Sequence, residues 1–249
     1  MGSALLAGWL AAGVPAVSVW VIEPNPSDWL RAAGVHLNEG VPAAPAVALL
    51  AVKPQMMGAA LPALQALGNG ATLFVSIAAG TTIAAFEAAL GDRTPIVRTM
   101  PNTPAMVNRG ITALCRNGHV SDADMALAVA LMAAVGEAVI LDGEHQIDAV
   151  TAVSGSGPAY VFHLIEAMAA AGEAEGLSPE VAMRLARATV CGAGELAYRS
   201  EDSAAQLRVN VTSPGGTTAA ALAVLMPELP GLMARAVKAA ADRGLELGK

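Results

Sequence analysis

The chain opens MGSALLAGWLAAGVPAVSVWVIEPN (Met1–Asn25), and the reading of this stretch decides the fold. No charged residue precedes Glu23, yet Gly13 and Pro15 interrupt the apolar run. A membrane-spanning helix needs about 20 apolar residues without such breakers. A secretory signal needs a basic region ahead of its apolar one, and no Lys or Arg comes before Arg31. The stretch instead splits in two. SALLAGWLAAG carries helix formers and ends on Gly13, a natural C-cap. AVSVWVIE is rich in β-branched residues and ends on an acid, as a buried parallel strand does. A helix and then a strand, with Glu23 about 20 residues past a glycine, reads as the second half of a dinucleotide-binding βαβ unit. Gly2 is then the last glycine of a G-x-G-x-x-G loop.

Composition narrows the class. The 249 residues are 55% hydrophobic and only 3% aromatic, so a sizeable core forms and disorder is excluded. The formal net charge is −7 and no basic run stands out, which predicts neither a nucleic-acid partner nor an anionic-membrane partner. Cys115 and Cys191 are far apart and read as a buried thiol pair in a reducing cytoplasm. His36, His119, His145 and His163 include no i, i+4 pair, so no metal site is expected.

Strands and helices alternate through the first half. PAVALLAVKP (45–54), ATLFVSIAAG (71–80), TPIVRTMPNTP (94–104) and EAVILD (137–142) read as strands. MMGAALPALQAL looks helical but is interrupted by Pro62. TTIAAFEAAL (81–90) is an amphipathic helix with Thr81 as N-cap, and another helix runs from about Asp122 to Val135. From Ile147 on, only helices are expected: 158–175, 178–199, 202–209, 217–225 and 230–247. The fold class is therefore α/β: a Rossmann-type parallel sheet domain over 1–146, then an all-helical domain over 147–249. The second is too apolar for an isolated bundle, which predicts burial against another subunit.

Ligands of open parallel sheets bind beyond the carboxyl ends of the strands. There the chain carries Lys53-Pro54, the small residues of SIAAG (76–80), and Arg98 and Asn102 within RTMPNTP (98–104). The helical half has two glycine-rich helix starts, SGSGPAY (154–160) and NVTSPGGTT (210–218). A single N-cap needs one hydroxyl. The second start supplies several, with backbone N–H groups at the positive end of a helix dipole, which makes a pocket for a small carboxylate. No Ser-His-Asp set and no pair of catalytic carboxylates can be picked out, as suits hydride transfer, where the cofactor carries the hard step.

In this order, MGSALLAG, AVKP, SIAAG, RTMPNTP, DAVTAVSGSGPAY and NVTSPGGTT resemble the pyrroline-5-carboxylate reductase family over essentially the whole chain. The resemblance implies reduction of 1-pyrroline-5-carboxylate to L-proline with NADPH or NADH, the last step of proline biosynthesis. It implies a helical domain that interlocks two subunits as a homodimer, assembled further into decamers in many members. The cofactor would lie along Gly2, Glu23, Asn25, Asn38, Ala51, Val52, Lys53, Pro54, Ile77, Ala78 and Ala79. The substrate would sit at the 213–218 helix start, contributed across the dimer. Its carboxylate would meet Ser213 and backbone N–H groups around Gly215 and Gly216. Thr218 would hydrogen-bond the ring nitrogen of the iminium form as the catalytic residue. Asn210, Thr217 and Glu144 are substrate-binding candidates by position. Glu23 suits a ribose 2′-hydroxyl and repels a 2′-phosphate, which favours NADH tolerance.

The family pattern begins with a strand and a G-x-G-x-M-G loop, of which this chain keeps the final Met-Gly. A start assigned at an internal methionine accounts for this and leaves every later motif intact. The rival reading is a genuine truncation giving a non-catalytic oligomerisation partner. A Rossmann reductase of another small imine or a β-hydroxyacid is the remaining alternative. Hydroxyacid enzymes of that kind usually carry a lysine on a long helix of the second domain, and the helices between 158 and 199 contain none.

Overall fold

The computed structural model describes residues 1–248. The chain divides into two compact units, Met1–Gly155 together with the segment from Ala240 on, and Ser156–Ala239. The expected division at 146/147 falls just before a short helical turn that the structure groups with the first unit.

The first unit begins with α1 (Gly2–Ala11), which Gly13 ends with φ of 94°. A 3-10 turn (Ala16–Ser18) precedes the short β1 (Trp20–Val21). α2 (Asp28–Ala32) follows, capped by the Ser27 hydroxyl, then β2 (His36–Leu37) and β3 (Val47–Leu50). After a 3-10 turn at Pro54–Met56 comes α3 (Met57–Ala60). It tightens into 3-10 geometry over Leu61–Leu67, where Pro62 denies the helix an N–H. β4 (Leu73–Ser76), α4 (Ile83–Leu90) and β5 (Ile96–Met100) continue the alternation. The N-cap of α4 is Thr82, one residue later than expected.

β6 (Gly110–Arg116) is a strand that the sequence pattern did not announce. It runs antiparallel to β5, because Asn108, with φ of 56°, reverses the chain after the 3-10 turn Thr103–Val107. α5 (Asp122–Ala133) starts on a capping box of Ser121 and Asp124, and β7 (Gly136–Ile140) pairs parallel with β6. The five-stranded sheet has the order β3-β4-β5-β6-β7 and is parallel except at β5/β6; β1 and β2 form a separate parallel pair. Side chains alternate across the sheet. Phe74, Ile96 and Cys115 join one core with Phe86 and Ile147. Leu73, Val75 and Val97 join the other with Leu5 and Met132. α6 (Ile147–Val150) and one π-helical turn, Thr151–Gly155, complete this unit's main run.

The second unit holds α7 (Gly157–Ala174), α8 (Pro179–Arg199), α9 (Ala204–Asn210) and most of α10 (Thr217–Leu247). α10 runs unbroken through Pro227 and Pro230, where two helices were expected. Proline removes one ladder bond and crowds the carbonyl four residues earlier. None of α10 is fully buried, so water can take the freed carbonyls. α7 and α8 pack through small residues, Ala169 against Ala182 and Ala186. Little else is buried: Phe162 is 60% exposed and Leu225 50%. Cys191 is exposed on α8, so the expected pair of buried thiols is one buried thiol, Cys115, and one exposed. By length and composition alone α10 could cross a membrane.

Candidate active site

At the end of β1 the chain turns through Glu23, Pro24 and Asn25. The Glu23 N–H donates to Asn38 Oδ1 at 2.9 Å, and Asn38 Nδ2 donates to the Glu23 carbonyl at 3.0 Å. Asn38 holds a left-handed φ of 57°, so one side chain staples the turn from the end of β2. Glu23 Oε1 accepts the Asn25 N–H at 2.9 Å, which fixes the carboxylate over its own turn. Glu23, Asn25 and Asn38 are thus brought together.

A second set gathers at the ends of β3 and β4. The Ile77 N–H donates to the Leu50 carbonyl at 3.2 Å, and the Ala78 N–H to Ser76 Oγ at 3.2 Å. Ala78 is buried, while Ala51, Lys53, Pro54 and Ala79 are exposed and Val52 and Ile77 half-buried. The start of α1 abuts this set: a Cβ on Gly2 would stand 3.2 Å from that of Ala51. α1 has no side-chain cap, so N–H groups of its first turn stay open at the positive end of the helix. An uncapped helix start, small residues at two strand ends and an acid at a third fit a dinucleotide. The helix end suits the pyrophosphate and the acid suits a ribose hydroxyl.

Arg98 does not end its strand as the sequence suggested. It lies inside β5, opposite Cys115 and beside Ser76, and is 4% exposed. Its Nη1 donates to Glu144 Oε1 at 2.6 Å, and the same oxygen accepts the Ile83 N–H at 2.8 Å. Burial, then the Glu144 charge, pushes the Cys115 thiol up to about 11 against the opposing pull of Arg98, so it is no nucleophile at neutral pH. Asn102, just past β5, accepts the Ile111 N–H at 3.0 Å and donates to Ser154 Oγ at 3.2 Å, tying the sheet to the π-helical turn. These links join residues far apart in sequence, and only the charge of Arg98 in an apolar strand hinted at them.

In the second unit the start of α10 is open. Gly215 has φ of 69°, and the Gly216 N–H donates to the Ser213 carbonyl at 3.0 Å. The first intrahelical bond runs from the Ala220 N–H to the Gly216 carbonyl, so the N–H groups of Thr217 and Thr218 have no partner in the helix. The hydroxyls of Ser213, Thr217 and Thr218 make no hydrogen bond among the described residues. Asn210 is engaged nearby, accepting from Gln206 at 2.7 Å and donating to Asp202 at 3.3 Å. Among the described residues no cluster of His, Cys, Asp and Glu could hold a metal ion.

A family model described as pyrroline-5-carboxylate reductase dimerisation matches residues 144–247. The pyrroline-5-carboxylate reductase of Pseudomonas aeruginosa is 44% identical, covering 100% of this chain and 94% of its own length. The solved pyrroline-5-carboxylate reductase of Coxiella burnetii superposes with a TM-score of 0.93 at 36% identity, over 100% of this chain and 95% of that one. The pyrroline carboxylate reductase of Plasmodium falciparum, solved with NADP bound, gives 0.85 at 30% identity, again over 100% and 95%.

Proposed function

This chain belongs to the pyrroline-5-carboxylate reductase family, and we propose that it reduces 1-pyrroline-5-carboxylate to L-proline with NADPH or NADH. The observation that carries the reading onto these residues is the open helix start at Ser213–Thr218, where among the described residues the hydroxyls of Ser213, Thr217 and Thr218 and the N–H groups of Thr217 and Thr218 have no hydrogen-bond partner. A reduced nicotinamide, when bound, supplies the hydride that the imine carbon takes up while the nitrogen ends protonated. Everything else is orientation and charge. Ser213 and the N–H groups of Gly215, Thr217 and Thr218 hold the substrate carboxylate at the helix dipole. Gly216 contributes by having no side chain, since its N–H is already spent on Ser213. The Thr218 hydroxyl hydrogen-bonds the ring nitrogen, and the iminium form makes the carbon a better hydride acceptor. Asn210 holds the turn through Asp202 and Gln206.

On the cofactor side, the helix start at Gly2, the 51–54 and 77–79 strand ends, and the Glu23–Asn25–Asn38 turn take the dinucleotide. Glu23→Ser is expected to raise the NADPH-to-NADH ratio of kcat/KM about tenfold. A unit charge ~4 Å from a phosphate costs about 1 kcal/mol in water and more near a protein surface. A ratio that does not move would remove Glu23 from ribose recognition.

The exposed apolar faces of α7, α8 and α10 belong to a dimerisation domain, so the surface is read as a subunit interface. The enzyme works as a homodimer in the cytoplasm, with dimers joining towards a decamer and with neither membrane nor nucleic acid as partner. Light scattering on the purified chain should give the mass of a dimer or a multiple of it; a stable monomer would contradict this. Expression in a strain unable to make proline tests the activity directly, and growth without added proline is the expected result.

A further inference from the structure

We infer that Arg98, buried inside β5, and the half-buried Glu144 form a clamp that sets the shape of the 77–82 loop, and so act as positioning residues for the dinucleotide. The inference rests on the reading of 77–79 as cofactor residues. The loop leaves β4 at Ser76, which lies in register with Arg98, and it re-enters helix at Ile83. Its first residues are held by Leu50 and Ser76. Its far end is held by Glu144 Oε1, which takes the Ile83 N–H and the Arg98 guanidinium together. One residue pair therefore stands at both ends of the loop.

A stability role alone explains this poorly. Arg98 shares its sheet face with Ile96, Met100, Phe74 and Cys115, an apolar surface. Taking the Arg98 guanidinium out of water costs desolvation energy that offsets its attraction to the half-buried Glu144, so the pair contributes little to stability. The Arg98 Nε is buried without a hydrogen-bond partner among the described residues, a further cost. What the pair provides is a carboxylate fixed at the start of α4, where the helix dipole favours it. On this inference Glu144 serves the cofactor loop.

The experiment compares the wild-type chain with Arg98→Met, Arg98→Lys and Glu144→Gln. Hydrogen–deuterium exchange of the peptide spanning 77–86, without ligand, reports the loop; NADH fluorescence titration reports dinucleotide affinity; steady-state rates give the two KM values. Arg98→Met and Glu144→Gln should speed exchange in that peptide and weaken NADH binding about tenfold. The KM for 1-pyrroline-5-carboxylate should stay unchanged, and Arg98→Lys should recover part of the loss. If Arg98→Met does not fold, Arg98→Lys and Glu144→Gln carry the test. Unchanged loop exchange with unchanged NADH affinity overturns the inference, as does a Glu144→Gln effect confined to the KM for 1-pyrroline-5-carboxylate. A wild-type chain that binds NADH but ignores 1-pyrroline-5-carboxylate refutes the proposed substrate and leaves the clamp supported or overturned by the exchange and titration alone.

Discussion

Gly216→Val is expected to lower kcat/KM for 1-pyrroline-5-carboxylate by about 100-fold or more, with dinucleotide affinity unchanged. A Cβ at this position would already stand 3.2 Å from the Ser213 carbonyl and 3.5 Å from the Ser213 Cβ. The branched methyls of valine reach beyond it into the cradle. The substrate carboxylate would then lose at least two charge-assisted hydrogen bonds, each worth roughly 1.5–3 kcal/mol. A tenfold change in affinity corresponds to about 1.4 kcal/mol, so about 100-fold is the lower end of the expected loss. Circular dichroism should show the helices intact, because Gly216 lies outside the buried cores. Normal substrate affinity in this variant would refute the anion cradle.

Thr218→Ala should cut turnover by about 10- to 100-fold, the range for one hydrogen bond to a charged group. The residue is half-buried at the start of α10, and its hydroxyl has no partner among the described residues. Its removal therefore leaves no group unsatisfied among the described residues, and alanine is a good helix former. Melting temperature should hold while the rate falls. A full rate would remove Thr218 from the mechanism, and a collapsed fold would mean that its role is structural.

The parts legible in the sequence were those fixed by local pattern. β3, β4 and β5 are apolar runs bounded by proline or glycine, and α5 and α8 carry caps that the sequence displays. The Glu23 turn followed from spacing to Gly2. Asn38 came only with the family resemblance, since its staple depends on β2 lying beside β1. β6 escaped because Thr112 and Arg116 break its apolar run, and because alternating strands and helices predict parallel neighbours. The left-handed Asn108 supplies the reversal instead. The continuity of α10 contradicts the usual meaning of Pro227 and Pro230, and an exposed helix is where that exception costs least. Arg98 and Glu144 are far apart in the chain, and nothing short of the sheet order places one beside the other.

The reductase activity is tested most directly by 1-pyrroline-5-carboxylate-dependent oxidation of NADH and NADPH by the purified 249-residue chain, with proline quantified in the same reaction. One proline is expected for each dinucleotide oxidised. A folded, oligomeric chain that oxidises neither dinucleotide and forms no proline would contradict it.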